Sequence, residues 1–145
     1  MSVGALQLQV SSRMVISGRN WRRICQANLS KFGISEACCG PLLMIGRLGG
    51  GVRQVQLAQA IGIEGPSLVR LLDQLCNAGL IERQEDASDR RAKTLSVTSA
   101  GRELSERLEN ELILLRRQAL AQLSPADLQA ALRVFDAFDQ FSQAH

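Results

Sequence analysis

Hydrophobic residues recur along the first part of this chain at steps of three, four and seven, which is the spacing of one face of an α-helix. The first long segment of this kind contains Val10, Met14, Trp21, Ile24, Cys25, Leu29 and Phe32. Gly33 ends the predicted helix, and Ser35 is placed to cap a second helix that runs to about Leu48. The triplet Gly49-Gly50-Gly51 then interrupts the pattern, and we interpret it as a flexible turn.

Two short helices joined by a tight turn are predicted next. The first extends from Arg53 to Ile61, and the turn occupies residues 62–65. The second begins with Pro66 and runs to about Ala78. Proline is favoured in a first helical turn because the amide hydrogen it lacks would have no partner there.

Several positions in this pair of helices agree with a helix-turn-helix unit. Ala58 is small where the two helices would cross, and Gly62 stands four residues later, where the turn requires a left-handed backbone. A small apolar core would fix the angle between the helices. Its predicted members are Ile61, Ile63, Leu68 and Leu71.

The chain then changes to short strands before it returns to helices. Residues 80–84 and 93–97 resemble two strands, and the polar loop between them predicts a hairpin with a long tip. Thr98 is placed to cap a long helix over residues 98–122, and Ser124-Pro125-Ala126-Asp127 is a typical start of a last helix. That last helix is apolar for so short a chain, which favours burial between subunits. Its apolar residues are Leu128, Leu132, Phe135, Phe138 and Phe141.

Composition and charge limit the class of protein without identifying it. Hydrophobic residues make up 46% and charged residues 21% of 145 residues, which is typical of one soluble globular domain. The chain has neither a run of about 18 apolar residues nor a signal-peptide pattern, so we expect a cytoplasmic protein without membrane contact. The net charge of +3 divides into +5 over residues 1–52, zero over 53–93 and −2 over 94–145. Any nucleic-acid binding must therefore depend on where individual arginines lie.

The four cysteines are scattered, and the single histidine is the last residue, His145. Cys25, Cys38, Cys39 and Cys76 do not form a Cys-x-x-Cys pair, so no metal site and no cofactor is predicted. Reduced, half-buried thiols are the simplest interpretation. The alternative is a redox-sensing regulator that uses Cys25, near Arg22 and Arg23, or the adjacent pair Cys38-Cys39. A thiol enzyme is disfavoured because a terminal histidine is poorly placed to act as a base.

The second helix of the helix-turn-helix unit has two faces. Its inward leucines are Leu68, Leu71, Leu72 and Leu75, and its outward polar residues are Ser67, Arg70, Gln74 and Asn77. A helix of this width fits the major groove of double-stranded DNA, where arginine pairs with guanine and glutamine with adenine. A solvated helix face without any partner is the competing interpretation.

The hairpin tip supplies a second candidate contact with DNA. Arg90 and Arg91 lie beside Asp89, and an arginine at such a tip can enter the narrow minor groove of A·T-rich DNA. We expect Asp89 to orient its neighbour through a charge-assisted hydrogen bond. Ser67, Lys93 and Arg53 are candidates for contacts with phosphate, which position a protein without reading sequence.

Residues 56–101, QLAQAIGIEGPSLVRLLDQLCNAGLIERQEDASDRRAKTLSVTSAG, closely resemble the MarR family and, within it, the SlyA-like branch. The segment Asp-Arg-Arg-Ala-Lys followed by Leu-x-Val-Thr-x-x-Gly carries the resemblance. It implies a mainly α fold with a small β-hairpin wing. It also implies one MarR-type domain over 1–145: dimerisation helices at 1–34 and 124–145, a winged helix-turn-helix at 35–100, and a connecting helix at 98–122.

The resemblance further implies a regulator that catalyses no reaction and binds an inverted repeat in double-stranded DNA as a homodimer. Arg70 and its neighbours would meet bases, and Arg90 or Arg91 would enter the minor groove. Family members are commonly released from DNA by small aromatic or phenolic acids that bind between the dimer helices and the winged domain. The residues that could line such a cleft here, including a carboxylate partner, are Trp21, Arg22, Cys25, Cys38, Cys39 and Leu43. A helical dimer whose winged unit no longer binds DNA is the remaining alternative.

Overall fold

The structure, a computed structural model, describes all 145 residues, Met1–His145. The helices are α1 (Val3–Leu29), α2 (Glu36–Arg47), α3 (Gln54–Ile61), α4 (Gly65–Asn77), α5 (Ser99–Ala119) and α6 (Pro125–Ala144). The strands are β1 (Val52–Arg53), β2 (Ile81–Glu85) and β3 (Lys93–Val97), and a short 3₁₀ turn, Ser30–Phe32, follows α1. The predicted fold, mainly α with a small β wing, is confirmed.

The chain comprises two compact units, Met1–Leu112 and Ile113–His145. The first contains the helix-turn-helix and the sheet, and the second contains the end of α5 and all of α6. None of the six helices combines the length and hydropathy that crossing a bilayer requires.

The core of the first unit is built from apolar side chains of its helices and of its sheet. Its fully buried side chains include Leu42, Ile45, Leu57, Leu68, Leu72, Leu95 and Leu108. In α4 the predicted inward leucines are found inward: Leu68, Leu72 and Leu75 are buried, and Leu71 packs against the core while partly exposed. Burial of this face anchors α4 and leaves its opposite side exposed.

The sheet has three strands instead of the two predicted ones. All neighbours are antiparallel in the order β1-β3-β2, with Arg53 opposite Thr94 and Ile81 opposite Val97. The prediction that Arg53 begins a helix is therefore wrong, because Arg53 lies in β1 and α3 begins one residue later. A two-residue strand has no periodicity of its own, and only its pairing with β3 defines it.

The glycine triplet forms a turn, as predicted, and that turn is tied to the sheet. Gly49, Gly50 and Gly51 have φ values of 86°, 80° and 63°, in the left-handed region that glycine adopts without a Cβ penalty. The backbone N–H of Gly51 donates to Ser96 Oγ at 3.0 Å. The turn thus connects the end of α2 to β3 as well as to β1.

In the second unit, the predicted start signal of the last helix is confirmed. The backbone N–H of Asp127 donates to Ser124 Oγ at 3.1 Å, and the Ser124 N–H donates to Asp127 Oδ2 at 2.9 Å. These reciprocal bonds hold the pKa of the Asp127 carboxyl below its ordinary value. α6 contains no buried residue, and its exposed apolar residues include Leu132, Phe135, Phe138 and Phe141.

Candidate nucleic-acid interface

The turn between α3 and α4 has the geometry predicted from its glycine. Gly62 has a φ of 76°, and its backbone N–H donates to the carbonyl of Ala58 at 2.9 Å. Pro66 lies in the first turn of α4, where its missing N–H leaves no bond unmade. The turn and the buried leucines together fix the direction in which α4 presents its polar side.

The predicted polar residues of α4 all lie on its exposed side: Ser67, Arg70, Gln74 and Asn77. No ion pair engages Arg70, so its guanidinium has all of its donors available to a partner outside the chain. An extended arginine on an exposed helix face is suited to bidentate hydrogen bonding with a guanine edge.

Gln74 has a contact that the sequence pattern did not reveal. The buried thiol of Cys38, on α2, donates to Gln74 Oε1 at 3.2 Å and to the Leu71 carbonyl at 3.9 Å. Paired recognition of adenine uses both the oxygen and the nitrogen of a glutamine amide. The Cys38 contact therefore occupies one of the two acceptor positions of Gln74 Oε1.

Internal hydrogen bonds close the hairpin tip, residues 86–92. The backbone N–H of Asp86 donates to the Ala92 carbonyl at 3.0 Å, and the Ala92 N–H donates to the Asp89 carbonyl at 3.1 Å. Asp89 Oδ1 accepts from the backbone N–H of Arg91 at 3.0 Å, so the acid does bond its neighbour, through the main chain. The side chains of Arg90 and Arg91 are exposed and form no ion pair.

The sheet contains two residues that the sequence predicts to contact phosphate, Lys93 and Arg53, and their surroundings differ. Lys93 is exposed at the start of β3, opposite Glu85. Arg53 is bound within the chain: its Nε donates to Asp86 Oδ2 at 2.8 Å, and a terminal nitrogen lies 2.7 Å from the same oxygen. Hydrogen bonds from Ser88 and from Arg53 lower the pKa of Asp86 from 3.8 to about 2. The pair is therefore ionised at neutral pH, and Arg53 already has an acidic partner.

Two connections around α4 and the wing were missed in the sequence. Arg83 on β2 forms a 2.7 Å ion pair with Asp73 on α4. Thr98 Oγ1 donates to the Gly79 carbonyl at 2.6 Å and accepts from the Gly101 N–H at 3.0 Å. The Thr-x-x-Gly spacing was the available signal for the second connection, whereas the first joins different elements and had none.

A cavity of about 720 Å³ lies within the first unit, between the end of α2, the glycine turn, β3 and α5. Its charged lining comprises Arg47, Arg102, Glu106 and Glu109, and Arg47 is paired with Glu109 at 2.6 Å. Of the residues predicted to line an effector cleft, only Leu43 contributes to this cavity. Trp21, Arg22, Cys25, Cys38 and Cys39 do not line it.

Burial disfavours thiol chemistry at two of the four cysteines. Cys38 and Cys39 are buried. Burial, with Glu36 and Cys38 nearby, raises the pKa of Cys39 from 9.0 to about 11, so its reactive thiolate is scarce at neutral pH. Cys25 is partly exposed, and the two arginines near it in sequence have polar partners of their own. Arg22 lies 3.7 Å from Glu36, and Arg23 donates to Asn20.

The helix pair α3–α4, its glycine turn and the β2–β3 hairpin define a winged helix-turn-helix protein. Residues 32–92 match the model of the MarR family. This segment contains α2, both helices of the helix-turn-helix and the wing tip, so the similarity to the family model covers the DNA-facing part of the winged unit.

Solved structures resemble the chain over nearly its whole length. The transcriptional regulator PA3341 matches with a TM-score of 0.87 and 29% identity, covering 94% of this chain and 99% of that chain. The transcriptional regulator SlyA matches with a TM-score of 0.81 and 20% identity, over 93% and 95% of the two chains. A cysteine-to-serine mutant of MarR from E. coli, complexed with operator DNA, matches with a TM-score of 0.79 and 17% identity, over 95% and 99%. The chain has the MarR winged-helix fold.

Proposed function

We propose that this chain is a transcription regulator that binds double-stranded DNA sequence-specifically, as a homodimer on an inverted repeat. The observation that carries the proposal is the presentation of Arg70 on α4 and of Arg90 and Arg91 at the wing tip. All three side chains are exposed, and none has an ion-pair partner in the chain. The MarR relative complexed with operator DNA is in accord with this function. No catalytic step is part of the proposal.

The proposed mechanism follows from groove geometry. α4 enters the major groove, where Arg70, Gln74 and Asn77 meet base edges and Ser67 contacts the backbone. The wing reaches the adjacent minor groove with Arg90 or Arg91, and Lys93 contacts phosphate. Two copies related by a two-fold axis must hold their α4 helices about 34 Å apart, one helical turn of DNA, to read both half-sites.

A second copy of the chain accounts for the apolar residues that a single chain exposes. α1 exposes Val3, Leu6, Leu8, Val10, Val15 and Ile16, and α6 exposes Leu132, Phe135, Phe138 and Phe141. Apolar surface of this extent on two terminal helices favours burial against a partner. The proposed dimer uses these helices, as segments 1–34 and 124–145 were expected to do.

Selection of bound sequences from random duplex DNA tests the proposal most directly. Incubation of the purified chain at low ionic strength should enrich an inverted repeat whose half-site centres lie about 10 base pairs apart. An Arg70→Ala variant should lose preference at a defined position in each half-site. Enrichment of no sequence, or of a site without two-fold symmetry, would contradict the proposed function.

We further propose that a small carboxylate effector modulates DNA binding from the cavity beside α2 and α5. Arg102 lines this cavity and is the cationic group there that no ion pair occupies. An effector that favours a dimer of different α4 spacing would weaken binding by its coupling energy, typically about 1–3 kcal/mol. Benzoate is a simple probe: it should release the duplex from the wild-type chain and have little effect on Arg102→Ala. Equal release from both proteins would exclude this site.

Within the MarR family, we assign the regulator to the SlyA-like branch because its wing segment carries Asp-Arg-Arg-Ala-Lys. It is expected to work in the cytoplasm.

A further inference from the structure

We propose that Arg53 and Asp86 form a positioning pair that holds the wing tip in place for DNA, so that Arg53 acts on DNA through the wing and makes no phosphate contact itself. The inference rests on the proposed function and deepens it, because it concerns how the arginines of the tip are presented.

The route of the Arg53 side chain supports this role. Arg53 is in β1, at one edge of the sheet, and Asp86 directly follows β2, at the other edge. Arg53 lies opposite Thr94 on the central strand β3, so its guanidinium spans that strand to reach Asp86. Its backbone N–H is held as well, by Gln56 Oε1 at 3.0 Å. Main chain and side chain of Arg53 are thus both fixed at the base of the wing.

The two carboxylate oxygens of Asp86 accept hydrogen bonds from different parts of the wing, one from its base and one from its tip. Oδ2 accepts from Arg53 at 2.8 Å, whereas Oδ1 accepts from the backbone N–H of Ser88 at 2.9 Å and from its hydroxyl at 2.8 Å. The Asp86 N–H bonds the Ala92 carbonyl, and Ala92 in turn bonds Asp89, which holds the backbone of Arg91. A continuous set of hydrogen bonds therefore joins Arg53 to the main chain of Arg91.

The direction in which Asp86→Asn changes DNA affinity distinguishes a positioning role of Arg53 from a direct contact with phosphate. If Arg53 bound phosphate, Asp86→Asn would remove a nearby negative charge, release the guanidinium and strengthen DNA binding. If the pair positions the tip, Asp86→Asn must weaken binding although it makes the protein more positive. A loss of affinity on removing an acid is not expected from long-range electrostatics.

The test is a double-mutant cycle on the selected duplex at fixed salt. Arg53→Met and Asp86→Asn should each weaken binding about fivefold, in keeping with an exposed ion pair, and the double variant should be no weaker than either. Both losses of affinity should nearly vanish in an Arg91→Ala background, because the arginine that the tip holds in place for DNA is then absent. Tighter binding by Asp86→Asn, or additive losses, would overturn the inference while leaving the proposed function intact.

A control variant and a measurement without DNA separate positioning from general stability. Glu111→Gln disrupts another exposed ion pair of the same unit, the 3.1 Å pair of Glu111 with Lys31, and should leave affinity unchanged. Amide hydrogen exchange at residues 88–92 of the free protein should accelerate in Arg53→Met and Asp86→Asn, with thermal unfolding little altered. Unchanged exchange would refute the pair's role in ordering the tip. A wild-type chain that binds no duplex would instead refute the proposed function and this inference together.

Discussion

At the scale of single residues, contacts within the chain decide which side chains of α4 and of the sheet are available to a partner. The leucine face and polar face of α4 follow from helical spacing alone, and both are found where the spacing predicts. The contact between Cys38 and Gln74 does not follow, because it joins side chains 36 positions apart. Arg53 is similar, since its acidic partner lies 33 positions away.

Arg91→Ala should weaken binding to the selected duplex by about 1–3 kcal/mol and reduce any preference for A·T pairs beside each half-site. The reason is loss of an exposed guanidinium that can enter the minor groove. A fluorescence-anisotropy titration at fixed salt measures this. Arg117→Ala removes the same charge from an exposed position of α5, outside the segments proposed for the dimer, and serves as the matched control. Equal DNA affinity of Arg91→Ala and the wild-type chain would contradict a role of the wing tip in DNA binding.

Cys39 should react slowly with iodoacetamide at pH 7, after the partly exposed Cys25 and Cys76. Its pKa is raised to about 11, so the folded chain keeps the thiol protonated where the unfolded chain, near 9.0, ionises. The unfolded state then binds fewer protons, and this thiol's contribution to stability is lost as pH rises from about 9 to about 11. Mass spectrometry of labelled peptides checks the order, and denaturant unfolding against pH checks the slope. Labelling of Cys39 first would contradict the prediction.

At the scale of elements, the junction between α4, β2 and α5 depends on close backbone packing. A Cβ added to Gly101 would lie 1.9 Å from the Leu80 carbonyl oxygen, which is an impossible separation. The Thr98 N–H donates to that same carbonyl at 3.1 Å, so the start of α5 is held against the residue before β2. The Thr-x-x-Gly motif therefore has a packing reason in addition to its resemblance to the family.

Gly101→Ala should lower the free energy of unfolding by about 1–3 kcal/mol or more, because the new methyl group must displace backbone. Gly46→Ala, inside α2, is the matched control: apart from its chain neighbours and the backbone of its own helix, no atom lies within 4 Å of its added Cβ. That control should be neutral or stabilising by up to about 1 kcal/mol, as expected for alanine replacing glycine in a helix. Chemical denaturation of both variants measures the difference. A Gly101→Ala chain as stable as the wild type would contradict the packing.

At the scale of the whole molecule, the apolar helices and the charge distribution both favour assembly with partners. Three of the four large apolar residues that α6 exposes are aromatic: Phe135, Phe138 and Phe141. Residues 53–93 carry no net charge, so in the proposed function the affinity for DNA comes from a few exposed arginines that a dimer presents twice. The proposed dimer would then serve DNA binding as well as cover α6.

Phe135→Asp combined with Phe138→Asp should convert the proposed dimer into a monomer, because a charge buried in an apolar interface is strongly unfavourable. Sedimentation velocity at micromolar concentration distinguishes the two states. Gln140→Glu adds a charge to an exposed polar position of the same helix and should leave the dimer intact. Two outcomes would count against dimerisation through α6: a wild-type chain that sediments as a monomer, or a double variant that still sediments as a dimer.

The sequence by itself determined the elements whose signals are local. Helical spacing, caps and glycines identify α1 to α6, the turn at Gly62 and the hairpin, because those signals act within one or two turns of chain. Only the tertiary structure decided β1, the bond between Cys38 and Gln74, the pair Arg53–Asp86 and the position of the cavity. Each of these joins segments far apart in sequence. Such contacts exist only after the core has brought the segments together, so no local pattern encodes them.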